Sequence, residues 1–307
     1  MNVYEYVDIA ESIPSLTELL LTFKQGYIDL FDQQYDIPPV GYLALPHGEM
    51  HIKYGKAIHG KLAVIKIASG SYNNHLQGLP TSSGCLIIID TTTGFPIALL
   101  KDNGLLTETR TAIAGALLAK ELSPKAKNIG IIGAGGQAYY QALYTAKALN
   151  LNSIYSWSRR STSLDLLTVK LAKDNIELHR LNSAQQVCEI SDVLITTTPS
   201  KSPLVNAQWL KENVHINAIG ADTQGKRELE ANVLEQASLL LVDSKSQCLE
   251  QGECQYLAVH EQHKINEFGQ FFTDQTYNGK GISLADFTGT AVLDIIIAGM
   301  VYQKLAR

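Results

Sequence analysis

The residues with the clearest chemical use are a set of glycines and a pair of arginines. The stretch "NIGIIGAGGQAYYQAL" joins an apolar run, a glycine-rich turn and the start of an alanine-rich helix. Gly133 can make the tight turn, and Gly135, after Ala134, lets the backbone approach a pyrophosphate. Gly136 and Gln137 open the helix, whose free amides and positive dipole end attract an anion. Ala138 stands where a third glycine is usual, and alanine is tolerated there. The next strand, "SIYSWS", ends in Ser158, Arg159 and Arg160, with no acid to bind the ribose 2′-hydroxyl of NAD. Two guanidiniums suit a 2′-phosphate, which arginine meets with a two-pronged donor. NADP(H) is therefore favoured, with NAD(H) as the alternative.

Such a turn works only inside a βαβ frame, and the chain supplies one. Strand "NIGIIGA", helix "QAYYQALYTAKAL", strand "SIYSWS" and helix "SLDLLTVKLAKDN" follow in turn. After "ELHRL" come helix "SAQQVCEI", strands "DVLITTTPS" and "HINAIGA", helix "RELEANVLEQ" and strand "SLLLVDS". The alternation predicts right-handed crossovers and a parallel sheet. Upstream, "SLTELLLTFKQGYIDL" has helical spacing of leucines. The runs "PVGYLAL", "MHIKYGKAI", "KLAVIKIAS" and "GCLIIID" read as strands, and "TTTG" as a hairpin turn, so this part is a mostly antiparallel sheet with a helix. The helix "TETRTAIAGALLAKEL" leads from one region to the other. The tail "SLADFTGTAVLDIIIAGMVYQKLA" is apolar on more than one face, which predicts a return to the first region or a place in a subunit interface.

Composition narrows the class. With 307 residues, 45% hydrophobic and 18% charged, the chain can build two globular domains. A net charge of -5 gives no basic field for nucleic acid or an anionic membrane. The N-terminus has acidic residues and no apolar core, so no secretory signal is expected, and the longest apolar run is short and carries Asp294. The four cysteines form no CxxC pair, which suits free thiols in the cytoplasm. "HEQH", with no cysteine or third histidine near it, is too sparse for a metal site, so no metal is expected.

Several stretches recur as an ordered set: "VIKIASG", "GLPTSSG", "LLTETRTAIAGALLAKEL", "GIIGAGGQA", "SDVLITTTPS", "HINAIGADTQGKREL" and "SLADFTGTAVLD". Together they resemble the ornithine cyclodeaminase/mu-crystallin family over nearly the whole chain. The resemblance implies an α/β fold: a Rossmann-type parallel-sheet domain, residues 123–288, and a smaller α+β substrate-binding and dimerisation domain, residues 1–122 completed by a C-terminal helix at 289–307. It also implies hydride exchange between a nicotinamide and a carbon that bears an amine or imine beside a carboxylate. Arg110 matches the arginine that binds the substrate carboxylate, and Thr81 a carboxylate-binding hydroxyl. Lys66 matches the catalytic lysine near the reacting nitrogen, and it lies in an apolar strand where an idle lysine would be costly to bury. Asp222 matches the general acid/base, with a helix N-cap as the structural alternative. Thr196 and Thr198 join the cofactor residues.

The departures from the family pattern also point somewhere. The cyclodeaminases have a second carboxylate-binding arginine where this chain has Val40, and a glutamate for the distal amine of ornithine where it has His51. Glu49 lies two residues away, on the same face of a strand. The acid that reads NAD ribose is missing as well. A cyclodeaminase recycles its NAD+ internally, whereas net reduction needs exchangeable NADPH. The preferred reading is thus a homodimeric NADPH-dependent reductase of a cyclic ketimine carboxylate, Δ1-pyrroline-2-carboxylate or Δ1-piperideine-2-carboxylate, giving L-proline or L-pipecolate. The alternatives are an ornithine cyclodeaminase-type lyase, an open-chain amino-acid dehydrogenase and a non-catalytic mu-crystallin-like binding protein.

Overall fold

The run Ile129-Gly130-Ile131-Ile132 has no polar side chain, as a strand covered on both faces requires. In the computed structural model, which describes residues 1–71, 73–80, 82–274 and 277–306, this run is fully buried. The chain divides into two units, Met1–Arg110 with Thr290–Arg307, and Thr111–Gly289.

The first unit comprises β1 (Asn2–Tyr4), α1 (Tyr6–Glu11), α2 (Leu16–Phe31), β2 (Tyr35–Asp36), β3 (Gly41–Leu45), β4 (Gly48–Ala57), β5 (Leu62–Ser71), β6 (Ser82–Asp90), β7 (Pro96–Leu100) and the start of α3 (Leu105–Leu122). Among the described residues its strands run in the order β1-β7-β6-β5-β4-β2, with β3 paired to β4. Every pair is antiparallel except β1 with β7. The expected hairpin joins β6 to β7, and Asp90 Oδ1 accepts the Thr92 and Thr93 amides at 2.8 and 3.0 Å to hold its turn. Helix α2 starts at Ser15, whose hydroxyl accepts the Glu18 amide at 3.3 Å, and buries Leu19, Phe23 and Tyr27 at four-residue spacing.

The second unit continues with β8 (Ile129–Ile132), α4 (Gly136–Leu149), β9 (Ser153–Trp157), α5 (Ser161–Lys173), β10 (Glu177–Arg180), α6 (Ala184–Ile190), β11 (Val193–Thr196), β12 (Val214–Ala218), α7 (Ala231–Glu235), β13 (Ala237–Val242), α8 (Lys245–Gln251), β14 (Ile265–Glu267), α9 (Phe268–Asp274) and β15 (Ile282–Asp286). Its strands are all parallel, in the order β10-β9-β8-β11-β12-β15-β13-β14. The chain moves outward from β8 to β9 and β10, then returns to the other side of β8 as β11. That reversal opens a crevice at the carboxyl ends of β8 and β11, where α/β sheets of this kind hold ligands.

One expectation needs correction here, and another is met in its first form. The helix predicted over "RELEANVLEQ" shrinks to α7, because Glu228 and Leu229 turn inward and Leu229 bridges to Val205. The tail forms strand β15 in the second unit and then returns to the first as helix α10 (Ala291–Leu305), one of the two places expected for it. Helix α10 packs on α2 and on β4, β5 and β6, and buries Val292, Leu293, Ile295, Ile297, Ala298 and Val301. A helix with this many apolar positions belongs largely in a core, and Ile296, Gly299, Met300 and Tyr302 remain half-buried along it.

Candidate functional site

In the first unit, three charged side chains meet in the core. Lys66 comes from β5, Arg110 from α3 and Asp294 from α10. Asp294 Oδ2 lies 2.8 Å from Lys66 Nζ, and its Oδ1 accepts the Arg110 Nε–H at 3.1 Å. Lys66 and Asp294 are each 2% exposed and Arg110 5%. Burial disfavours the Asp294 anion, but Arg110 and Lys66 outweigh it and hold its carboxyl below the usual range. Burial, then Arg110, drives Lys66 down to about 7, with Asp294 opposing. When Lys66 is protonated, the cations around Asp294, namely Lys66, Arg110 and nearby Lys53, outnumber the anions there, Asp294 and Asp102. The start of α3 is fixed by buried Asp102, whose Oδ2 accepts the Leu106 amide at 2.8 Å, and this sets the helix turn that carries Arg110.

The sheet register shows what shares the Lys66 face. Lys53 on β4 is directly opposite Lys66, His51 is opposite Ala68, and Glu49 opposite Gly70. Residues two apart on a strand point the same way, so Glu49, His51 and Lys53 line up beside Lys66. Glu49 Oε2 and His51 Nε2 are 3.6 Å apart, and the Tyr42 ring stands edge-on to His51. Thr81 lies outside the described residues.

In the second unit, Gly133, Ala134 and Gly135 line a cleft of about 160 Å³ together with Ser158, Arg159, Arg160 and Thr198. Gly133 has φ 124°, and a Cβ there would strike the Thr197 hydroxyl, so the turn after β8 needs glycine. A Cβ at Gly135 would meet only open space, which leaves the backbone free for a close ligand approach. Gly135 caps α4 without a side chain, and Gly136 and Gln137 form its first turn, so the amides there have no side-chain acceptor from the cap. Arg159 and Arg160 are exposed at the cleft after β9. Open backbone, the amides at the start of α4 and two guanidiniums fit the phosphates of a dinucleotide. Thr196 is placed differently from expectation: it is fully buried at the end of β11, and Thr197 lines the cleft instead.

Asp222 sits on the exposed loop after β12, with Lys226 Nζ at 2.6 Å from its Oδ1 and the Thr223 hydroxyl at 3.3 Å. No helix starts there, so Asp222 is not an N-cap. Further along the loop, Glu228 is fully buried and accepts three hydrogen bonds. Its Oε1 takes the Thr198 amide and hydroxyl at 2.6 and 2.7 Å, and its Oε2 takes the Gly220 amide at 2.9 Å. Its own amide donates to Glu253 Oε1 at 2.6 Å. Burial raises Glu228 to about 7 and Glu253 to about 9, while hydrogen bonds to each partly oppose the rise.

Sequence reasoning named Lys66, Arg110 and the cleft residues, but missed Asp294, Asp102, Lys226 and Glu228. The signal for Asp294 was visible: a lone acid inside the most apolar run of the chain has to meet a cation. The "HEQH" histidines lie on a short 3-10 turn, with His263 Nδ1 at 2.7 Å from the His260 carbonyl, and among the described residues no three metal-ligating side chains converge. Among the described residues, too, no helix is long and apolar enough to cross a membrane.

The sequence model of the ornithine cyclodeaminase/mu-crystallin family matches residues 3–307. The alanine dehydrogenase of Archaeoglobus fulgidus is 30% identical over 305 residues, covering 96% of this chain and 92% of that protein. The structure of the iminosuccinate reductase of Paracoccus denitrificans, in complex with NAD+, superposes with a TM-score of 0.87 at 26% identity and covers 99% of this chain and 95% of its own. The Δ1-pyrroline-2-carboxylate reductase of Thermococcus litoralis, in complex with NADH and L-proline, shares the fold, with a TM-score of 0.90 at 24% identity over 100% of this chain and 98% of its own.

Proposed function

Because this chain belongs to the ornithine cyclodeaminase/mu-crystallin family, whose members are NAD(P)-dependent oxidoreductases or cyclodeaminases, we propose that it reduces a cyclic ketimine carboxylate with NADPH. The substrate would be Δ1-pyrroline-2-carboxylate or Δ1-piperideine-2-carboxylate, and the product L-proline or L-pipecolate. The observation that carries this reading is the excess of positive charge around Asp294. A substrate carboxylate balances it, with Arg110 as the planar donor and Lys66 as the second contact. Thr81 would add a hydroxyl.

Carboxylate binding also changes Lys66. A new anion beside a lysine held near neutral pKa raises that pKa, so the lysine takes up a proton as substrate enters. Lys66 then keeps the imine nitrogen protonated, and an iminium carbon is the better hydride acceptor. Asp222 serves as the acid/base that exchanges protons with solvent, and Lys226 keeps its carboxylate oriented. Bound NADPH would supply the hydride. Gly133, Gly135 and the first amides of α4 would hold its pyrophosphate, and Arg159 and Arg160 its 2′-phosphate. The exposed apolar side chains of β3, Tyr42, Leu43 and Leu45, are the natural contact for a homodimer.

Mixing the protein with NADPH and each cyclic imine, and following nicotinamide absorbance, tests the proposal. Oxidation of NADPH with formation of proline or pipecolate supports it. Ammonia release from ornithine without net cofactor change would replace it with the lyase reading, and turnover of an open-chain imino acid alone with the dehydrogenase reading.

A further inference from the structure

Glu228 is a fully buried carboxylate that the proposed chemistry does not use. It joins two loops that leave the sheet at its ligand-bearing edge. One follows β11 and brings Thr198 to the cleft beside Gly133 and Gly135. The other follows β12 and carries Gly220, two residues before Asp222. All three donors that meet the carboxylate come from these loops: the Thr198 amide, the Thr198 hydroxyl and the Gly220 amide. The approach is close enough that a Cβ on Gly220 would strike the Thr198 backbone and come within 2.6 Å of Glu228 Oε2. The Glu228 backbone is itself held, with its carbonyl accepting the Leu204 and Val205 amides at 2.7 and 3.0 Å and its amide donating to Glu253.

We propose that Glu228 is a positioning residue for the dinucleotide, acting through Thr198. The inference rests on the reading of this cleft as a dinucleotide site. An anion with two acceptor oxygens can satisfy three donors from two loops at once. A neutral amide of the same size cannot, because its nitrogen would face either the Thr198 donors or the Gly220 N–H. The loop after β11 would then drift from the cleft while the rest of the sheet stays in place. The cost should fall on dinucleotide affinity and leave the carboxylate pocket of the other unit untouched.

The test is NADPH affinity, read by quenching of Trp157, which lines the cleft and is one of 2 tryptophans in the chain. Wild type, Glu228→Gln, Thr198→Val and the double variant are compared, with KM for the cyclic imine measured alongside. Glu228→Gln should raise the dissociation constant at least ~10-fold, with KM for the imine within about twofold of wild type. The double variant should be no weaker than Glu228→Gln alone, because both changes break the same contact. A folded Glu228→Gln protein with wild-type NADPH affinity overturns the proposal, and so do losses that simply add. If Glu228→Gln does not fold, Glu228→Asp keeps the anion but draws it back by one methylene. An intermediate loss of affinity is then expected, and none overturns the proposal. Wild-type protein that binds no dinucleotide overturns the cleft reading and this inference together.

Discussion

Lys66 Nζ and Asp294 Oδ2 meet at 2.8 Å in a pocket from which water is almost excluded. Because burial and Arg110 hold Lys66 at about 7, its proton is present below that pH and lost above it. For a reaction that needs the Lys66 proton, kcat/KM should fall about tenfold per pH unit on the alkaline side of this value. Asp294 favours the charged lysine, so Asp294→Asn should move the alkaline limb to lower pH, and Lys66→Met should abolish it while harming both kcat and KM. A limb that stays in place in Asp294→Asn would show that another group controls it.

Arg110 should hold the carboxylate in ground and transition states alike. Arg110→Ala should therefore act mainly on KM. A charge-assisted hydrogen bond of this kind contributes roughly 1.5–3 kcal/mol, or about 10- to 150-fold. Steady-state kinetics in the imine at saturating NADPH check this. An unchanged KM would remove Arg110 from the carboxylate.

Replacing Arg159 and Arg160 together with alanine should weaken NADPH far more than NADH, because only the former carries the 2′-phosphate. Equal losses for the two cofactors would mean that the pair does not read the phosphate.

Asp222→Asn keeps the size of the side chain but cannot exchange a proton. It should lower kcat by ~10²–10⁴ with little change in NADPH binding. A near wild-type rate would pass the proton role to Lys66 or water.

A separate check concerns stability. His215, fully buried, lies with Nδ1 at 3.1 Å from the Ser283 hydroxyl and Nε2 at 2.8 Å from Asn217 Oδ1. Burial pushes it down to about 4. Its folded value is below its unfolded one, so the unfolded chain binds more protons between them. Stability from this group is present above the unfolded pKa and lost as pH falls through the window toward 4, by roughly 3 kcal/mol in all. Denaturant midpoints of wild type and His215→Gln, compared between neutral and mildly acidic pH, should converge as the pH drops. Parallel curves would contradict the assignment.

The parallel sheet was legible because its strands are uninterrupted apolar runs between helical patterns, and the cleft because glycines and arginines follow consecutive strands. The family could be read from the ordered motifs around Lys66, Arg110 and Asp222. What escaped depends on contacts between distant parts of the chain. "RELE" has good helix formers, yet burial of Glu228 against Thr198 and Gly220 overrides that propensity. Thr196 and Thr197 are chemically identical in sequence, and only the last residue of β11 decides which one is buried. Strand β14 is 3 residues long, too short for any periodicity to register.

The pairing of Arg110 with Asp294 joins residues 184 positions apart. A ribosome that has completed both sheets has still not closed the cluster of Lys66, Arg110 and Asp294. Until α10 emerges and docks, Lys66 and Arg110 are like charges in an apolar setting with no carboxylate between them. A chain clipped just before Thr290 would keep the second unit whole and still leave Lys66 and Arg110 without their carboxylate. Under the proposed reading, loss of helix α10 would act as a clean off-switch.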